Sequence, residues 1–139
     1  MNREEIKKIL PHREPMLLVD AAEFDGGIAV GRYTVRGDEF FLQGHFPGNS
    51  VVPGVILCEM MAQSSCLLVS EQGGSFTPYF TGMNGVKFKN KVLPGDTIVF
   101  KCELTAKKGP FYFIKGSGYV GDKLAVSGEL SFAVIKSGQ

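Results

Sequence analysis

The chain has 139 residues, of which 44% are hydrophobic, and this length and composition suit one domain with a core of its own. Fifteen Lys and Arg against fourteen Asp and Glu give a net charge of +1, so no overall field favours nucleic acid or an anionic membrane surface. The charged amino terminus lacks the apolar run of a secretory signal, and no apolar stretch is long enough to span a bilayer. We therefore expect one soluble domain over residues 1–139 that works in the cytoplasm and binds neither nucleic acid nor membrane.

The amino-terminal residues predict a short helix from Arg3 to Leu10. Asn2 and Glu5 have the spacing of a capping box, and Pro11 ends the helix. A turn-rich segment with prolines at both ends follows at residues 11–15, and we expect His12 to order this turn rather than to perform chemistry.

Apolar and β-branched runs bounded by turn residues predict six strands. Asp25-Gly26-Gly27 separates the first two runs and is typical of a hairpin. A loop from Glu71 to Pro78 leads into the last four, which follow one another at short turns and so predict an antiparallel meander. The six runs are Met16–Val19, Ile28–Val35, Tyr79–Phe88, Thr97–Thr105, Phe111–Val120 and Leu124–Ile135.

Between the second and third strands, the segment from Val55 to Val69 predicts a helix that is apolar on nearly every face. A helix of this kind belongs in the interior of a domain. One long buried helix and about six antiparallel strands, without alternation of strand and helix, predict an α+β fold in which a curved sheet wraps around a central helix. This arrangement is the hot-dog architecture.

The three cysteines, Cys58, Cys66 and Cys102, form neither an even set nor a closely spaced pair. We expect them to be buried apolar side chains, with a catalytic thiolate or a metal ligand as the alternative. His12 and His45 are the only histidines, and no spacing typical of a zinc site exists. The sequence therefore predicts neither a metal nor an organic cofactor.

Glu59 is a carboxylate in the middle of the apolar helix, and among its neighbours on the same helix face only Gln63 is polar. The side chain could reach solvent through a gap in the sheet or pair with a Lys or Arg. Alternatively, it lies in an apolar pocket, where desolvation disfavours the charged form and lets the carboxyl keep a proton near neutral pH. Such a group can act as a general acid.

His45 lies in a loop, residues 44–54, that glycine and proline make stiff. A loop histidine is usually exposed or hydrogen-bonded, but this composition also suits a loop that holds a side chain still beside a ligand. The helix begins after Pro53, so the free N–H groups of Gly54 and Val55 offer a site for a developing negative charge. Because Gly54 has no side chain, an acyl oxygen can approach it closely.

A base, an acid and N–H donors within one short segment match the β-elimination of water from a carbonyl compound. His45 would remove the proton α to the carbonyl, Glu59 would protonate the departing hydroxyl, and the amides would stabilise the enolate-like oxygen. The separation of 14 residues between His45 and Glu59 permits a pair within one chain or between two chains.

Motifs along nearly the whole chain also carry a family resemblance. They are Leu10–Arg13, Pro15, Leu17–Asp20, Gly44–Gly48, Pro53–Val55, Glu59, Ala62-Gln63, Val86–Lys89, Val92 and Pro94–Asp96. In these motifs the chain resembles the β-hydroxyacyl-[acyl carrier protein] dehydratases of FabZ type, hot-dog enzymes of fatty-acid elongation.

This resemblance implies that His45 and Glu59 are the catalytic pair in the dehydration of (3R)-3-hydroxyacyl groups on acyl carrier protein. It further implies that Gly54 binds the thioester carbonyl, that Gln63 supports the Glu59 carboxyl and that Tyr79 lies near the mouth of an acyl tunnel. We therefore expect five substrate-binding residues, two of them at the helix terminus: Gly54, Val55, Gln63, Tyr79 and Phe46. The family places the histidine of one subunit against the carboxylate of another, so we expect a homodimer, commonly assembled as a trimer of dimers.

Two further patterns carry less weight. Residues 116–121 match GxGxxG, but they lie in a predicted strand and precede no helix, which argues against dinucleotide binding. Lys87, Lys89 and Lys91 alternate with other residues and share one strand face, either as a solvated edge or as part of a docking surface for an acidic carrier protein.

Two other functions are compatible with the same fold. A hot-dog thioesterase would use Glu59 to activate water, and an acyl-binding or assembly subunit would perform no chemistry. The intact His45 and Glu59 argue against the inactive subunit.

Overall fold

In the computed structural model, which describes residues 1–70 and 76–136, six strands form one antiparallel sheet. The strands are β1 Ala21–Asp25, β2 Ile28–Thr34, β3 Phe76–Phe88, β4 Thr97–Lys108, β5 Phe111–Val120 and β6 Lys123–Lys136. Their order across the sheet is β1-β2-β4-β5-β6-β3, so β1 and β3 lie at the two edges.

The helical elements lie between or before these strands. They are α1 Arg3–Ile6, a 3₁₀ turn at Phe40–Leu42, α2 Gly54–Ser64 and α3 Leu67–Ser70. Helix α2 packs mainly against β2, β4, β5 and β6, and Met60 and Met61 on this helix are fully buried. A sheet wrapped around one central helix is the hot-dog fold, so the predicted α+β architecture is confirmed. No helix in the described ranges is long and apolar enough to cross a membrane.

The predicted central helix, Val55–Val69, is present but interrupted. Helix α2 ends at Ser64, and α3 begins at Leu67. At the break the hydrogen bonding changes from the α-helical to the 3₁₀ type, because the N–H of Cys66 donates to the carbonyl of Gln63 instead of to that of Ala62. The apolar pattern therefore located the helical segment without detecting its break.

The predicted strand Met16–Val19 is wrong, because this segment pairs with no strand in residues 1–70 and 76–136, and the first strand is β1. Leu17, Leu18 and Val19 are all buried, so the side chains do not alternate between a core face and a solvent face. The backbone N–H of Leu18 instead donates to the side chain of Gln63 at 2.8 Å. The Gln63 side chain thus provides the hydrogen-bond acceptor that a neighbouring strand would provide in a sheet.

The first predicted helix is shorter than expected. Asn2 and Glu5 form the predicted capping box, but α1 ends at Ile6. The chain continues to Leu10 in turns, with the N–H of Leu10 donating to the carbonyl of Ile6 at 2.8 Å.

Five predicted strands are confirmed, one of them with both boundaries correct and four with boundaries within three residues. Gly26 and Gly27 form the predicted two-residue hairpin turn between β1 and β2, with φ of 56° and 89°. In the predicted loop Glu71–Pro78, residues 71–75 lie outside the described residues, and residues 76–78 belong to β3. Pro78 is tolerated there because β3 is an edge strand.

The glycines of the GxGxxG match serve packing in β5. A Cβ at Gly116 would lie 2.9 Å from Cγ of Met61, and a Cβ at Gly118 would lie 2.7 Å from the ring of Phe100. These glycines therefore let α2 and the neighbouring strand approach the β5 backbone closely.

Candidate active site

Glu59 lies in the second turn of α2 and opens into a small pocket of about 30 Å³. Its side chain is only 21% exposed. The pocket is mainly apolar and is lined by His12, Glu59, Ala62, Gln63, Cys66, Pro78, Phe80 and Phe132. The mainly apolar lining agrees with the pocket alternative, and no Lys or Arg pairs with Glu59 among the described residues.

Gln63 lies one turn after Glu59 and is buried, and its side-chain amide forms three hydrogen bonds. Its Nε2 donates to Oε2 of Glu59 and to the carbonyl of Met16, both at 2.8 Å. Its Oε1 accepts from the N–H of Leu18 at 2.8 Å. Reversing the amide would place donor against donor at Leu18, so its orientation is defined by its partners.

His12 enters the Glu59 pocket from the amino-terminal segment, with Nε2 lying 3.4 Å from Oε2 of Glu59. Among the described residues the His12 ring forms no hydrogen bond within its turn, where Arg13 provides the side-chain hydrogen bonds. The Arg13 guanidinium donates to the carbonyls of Leu10 at 2.9 Å and His12 at 2.7 Å. Reasoning from the sequence missed His12 because 47 residues separate it from Glu59.

His45 is half-buried in the loop before α2, and its Nδ1 lies 2.9 Å from the carbonyl oxygen of Val51. A carbonyl oxygen only accepts, so Nδ1 carries the hydrogen and Nε2 keeps a lone pair. The ring stacks on Phe46 with 4.2 Å between centroids. His45 does not line the Glu59 pocket and forms no ion pair with Glu59 within the described residues.

A buried carboxylate, Glu39, anchors the turn that precedes the 3₁₀ turn Phe40–Leu42 and, after it, the His45 loop. Its donors are the Tyr33 hydroxyl at 2.7 Å and the backbone N–H groups of Arg36 and Gly37 at 2.9 and 2.8 Å. Burial alone would raise the pKa of Glu39, but these hydrogen bonds outweigh it and lower the pKa. Reasoning from the sequence missed this residue because the polar run 36–39 is typical of an exposed turn.

A second, open groove of about 490 Å³ lies at the amino terminus of α2. Gly54 and Val55 line it, and neither N–H has a hydrogen-bond acceptor among the residues that the structure describes. The ring of Phe88 covers Gly54 so closely that a Cβ there would lie 2.8 Å from Cζ. Lys89 and Lys91 also line this groove.

Tyr79 and Phe46 line neither of these two cavities. Tyr79 is 57% exposed on β3, whereas its neighbours Pro78 and Phe80 line the Glu59 pocket. Phe46 is 53% exposed beside His45. One chain thus brings Glu59 together with Gln63, but it leaves the His45 loop outside that pocket.

The cysteines are free and buried, as predicted. Burial, and then the nearby charge of Glu59, raise the pKa of the Cys66 thiol, which lines the Glu59 pocket. Burial also raises the pKa of Cys102 to about 12. These thiols therefore stay protonated near neutral pH and act as apolar side chains.

Fold and site together define a hot-dog protein whose central helix presents a carboxylate to a mainly apolar pocket. The FabA-like domain family matches residues 10–129. The chain is 43% identical over 137 residues to the 3-hydroxyacyl-[acyl-carrier-protein] dehydratase FabZ of Macrococcus caseolyticus, and 44% identical over 137 residues to that of Clostridium perfringens. These alignments cover 96% of this chain and 94% and 99% of the two relatives. The chain therefore belongs to the FabA-like family, with the FabZ dehydratases, and is a dehydratase.

Solved structures show the same fold at lower sequence identity. The dehydratase heterocomplex ApeI:P from Xenorhabdus doucetiae aligns with a TM-score of 0.82 at 20% identity, over 95% of this chain and 91% of that chain. A probable thioesterase from Bartonella henselae aligns with a TM-score of 0.62 at 14% identity, over 81% of this chain and 93% of that chain. At these identities the likeness concerns the fold alone.

Proposed function

We propose that this dehydratase converts (3R)-3-hydroxyacyl thioesters on acyl carrier protein into trans-2-enoyl thioesters, in the cytoplasm and as a step of fatty-acid elongation. The relatives at 43% and 44% identity bear the name of this activity, which supports the substrate class. The observation that carries the proposal is the 2.9 Å hydrogen bond from Nδ1 of His45 to the Val51 carbonyl. This hydrogen bond leaves the lone pair of Nε2 free to act as a base. In the sequence, His45 lies shortly before the free N–H groups at the amino terminus of α2.

The proposed reaction begins when Nε2 of His45 takes the proton from C2 of the substrate. The electron pair of that C–H bond forms the C2–C3 double bond while the C3–O bond breaks, and the leaving oxygen takes the proton of Glu59 and departs as water. Return of the proton from His45 to Glu59 through water restores both groups. No electron is gained or lost, and the proposed base, acid and N–H donors all belong to the protein, so the proposed reaction uses neither a metal nor an organic cofactor.

Negative charge develops on the thioester carbonyl oxygen during this elimination. The N–H groups of Gly54 and Val55 line an open groove and lack acceptors within the described chain, so they are available to this oxygen. Donors fixed before the reaction stabilise such charge without reorganisation. The Glu59 pocket and this groove lie on the same helix, which supports a substrate bound along α2.

We further propose that His45 of one subunit meets Glu59 of a second copy. In one chain His45 lies outside the Glu59 pocket. Strand β3 is an edge strand, and every residue from Tyr79 to Gly85 is exposed, including Met83 at 54%. Pairing of two β3 edges would cover this apolar surface and extend the sheet. A trimer of such dimers is the larger assembly that the family resemblance implies.

For acyl carrier protein, we propose a docking surface at Lys87, Lys89 and Lys91. All three lysines are exposed, and Lys89 and Lys91 line the groove that contains Gly54. An acidic carrier protein held there would present its thioester to the groove, and opposite charges would speed the encounter.

The assay supplies purified protein with 3-hydroxybutyryl-acyl carrier protein and follows enoyl product and free thiol. Enoyl product without thiol supports the dehydratase, thiol release supports a thioesterase, and neither product supports an acyl-binding protein. His45→Ala and Glu59→Gln should each lower the rate at least about 100-fold while the circular dichroism spectrum stays unchanged. Gln43→Ala, at an exposed position, is the control and should keep the wild-type rate. A wild-type rate in either site variant would contradict the proposed roles.

A further inference from the structure

The two ring nitrogens of His12 have opposite surroundings. Nε2 lies 3.4 Å from Oε2 of Glu59, and both side chains are 21% exposed. Nδ1 is buried and has no hydrogen-bond partner within residues 1–70 and 76–136. One nitrogen therefore faces a carboxylate, and the other faces no group in the described chain that could bond to it.

These surroundings select one form of the imidazole. With the hydrogen on Nε2, His12 offers a donor to the Glu59 carboxylate oxygen 3.4 Å away, and only an unshared lone pair on Nδ1 is buried. With the hydrogen on Nδ1, a buried N–H would lack an acceptor and the Nε2 lone pair would face Oε2. The doubly protonated ring would also bury that unpaired N–H. The neutral Nε2–H form satisfies the most groups.

The backbone that carries His12 is held by arginine side chains. Arg13 donates to the carbonyls of Leu10 and His12 at 2.9 and 2.7 Å. Arg3 donates to the carbonyl of Leu17 at 3.0 Å. The position of the His12 ring is therefore set by contacts on both sides of the segment rather than by Glu59 alone.

Gln63 and His12 approach the same oxygen of Glu59. Nε2 of Gln63 lies 2.8 Å from Oε2, and Nε2 of His12 lies 3.4 Å from it. A proton on Oε2 would face two N–H groups, whereas Oε1 has no such donor among the described residues. With these contacts, a proton on Glu59 would avoid the N–H groups only on Oε1.

We propose that His12 is a positioning residue that donates from Nε2–H to Oε2 of Glu59 and, with Gln63, confines the transferable proton to Oε1. This rests on the proposed function of Glu59 as the acid. In the transfer, the Oε1–H bond breaks and the proton goes to the leaving hydroxyl oxygen, which departs as water. The charge left on the carboxylate is stabilised by the Gln63 N–H bonded to Oε2 and by the Nε2–H of His12 that faces the same oxygen.

The first test measures the tautomer without turnover. The chain has two histidines, so histidine labelled with ¹⁵N and ¹³C gives two ring spin systems, which His45→Ala assigns. At a pH where both rings are neutral, we expect the Nε2–H form for His12 and the Nδ1–H form for His45. Glu59→Gln should shift the His12 signals, because the ring lies 3.4 Å from this carboxyl within the same chain. An Nδ1–H or averaged tautomer at His12 would overturn the proposal.

The second test separates hydrogen bonding from packing. His12→Phe keeps a ring without a donor, and we expect kcat to fall about 10- to 100-fold with KM changed less than about threefold. His12→Gln restores an N–H near the position of Nε2 and should recover kcat to within about tenfold of wild type. In the Glu59→Gln background, His12→Phe should have no further effect.

Equal losses in the Phe and Gln variants, or wild-type kcat with His12→Phe, would overturn the positioning role while leaving the proposed function intact. Absence of enoyl product from the wild-type chain would instead contradict the proposed function, and the tautomer measurement would still decide the His12 contact. If His12→Phe failed to fold, the tautomer of the wild-type protein would decide between the two forms of the ring.

Discussion

The N–H of Leu18 donates to Oε1 of Gln63 at 2.8 Å, a buried hydrogen bond between residues 45 positions apart. The other end of the same amide donates to Oε2 of Glu59. One side chain therefore joins the amino-terminal segment to the carboxyl of the proposed acid. The stability of the fold and the placement of Glu59 depend on the same group.

Gln63→Leu tests this link. The substitution leaves the N–H of Leu18 and the carbonyl of Met16 without their partner, so we expect the free energy of unfolding to fall by about 1–3 kcal/mol. Urea denaturation measures the change, and kcat should fall as well. Gln43→Leu, at an exposed position, should change stability by less than about 0.5 kcal/mol. Equal effects of the two substitutions would contradict the prediction.

Gly54→Ala tests the close approach at the helix terminus. The new Cβ would lie 2.8 Å from the Phe88 ring, so the half-exposed ring must shift into the groove. We expect enoyl formation to fall about tenfold, because the shifted ring narrows access to the N–H donors. Phe88→Leu should recover part of the loss in the double variant. An identical loss with and without Phe88→Leu would show that the ring is not the cause.

Mixing inactive variants tests whether the site is shared between subunits. Random pairing of His45→Ala and Glu59→Gln chains makes half of the dimers mixed, and each mixed dimer has one intact site if His45 and Glu59 come from different chains. We therefore expect about a quarter of the wild-type activity after co-refolding. If the pair formed within one chain, every mixture would stay inactive.

Charge reversal tests the lysine surface. Lys89→Glu with Lys91→Glu should raise KM for the acyl carrier protein substrate about tenfold at low salt, and added salt should reduce the difference. The kinetics with a pantetheine thioester, which lacks the carrier protein, should not change. Lys8→Glu, at an exposed site on the amino-terminal segment, is the matched control. Equal effects on both substrates would favour a role of these lysines in the groove itself.

The buried carboxylate of Glu39 predicts a pH dependence of stability. Its pKa is lowered in the folded protein, so its contribution is fully present above the unfolded value of about 4.3 and is lost as pH falls through the folded pKa. Glu39→Gln should lower the free energy of unfolding by about 1–3 kcal/mol at pH 7. The difference from wild type should narrow below about pH 4 in urea denaturation series. A difference that stayed constant from pH 7 to pH 3 would contradict this assignment.

Much of the fold was predicted from local patterns in the sequence. The apolar run at Val55–Val69, the Gly-Gly hairpin and five strands were predicted because side-chain periodicity and turn chemistry act over a few residues. Met16–Val19 was predicted incorrectly, since an apolar run that is buried on all sides has the same composition as a strand. Its backbone partner, Gln63, lies far away in the sequence.

For the site, the chain alone identified a histidine in a stiff loop, a carboxylate in an apolar helix and free amides between them. It could not identify the neighbours of each group. His12 beside Glu59, Gln63 bonded to Leu18, and His45 outside the Glu59 pocket all depend on how distant segments pack. The residue type determines whether a side chain can act as an acid, a base or a hydrogen-bond donor. The direction of each hydrogen bond, and the carboxylate oxygen on which a proton would lie, depend on contacts that form only when the sheet packs around α2.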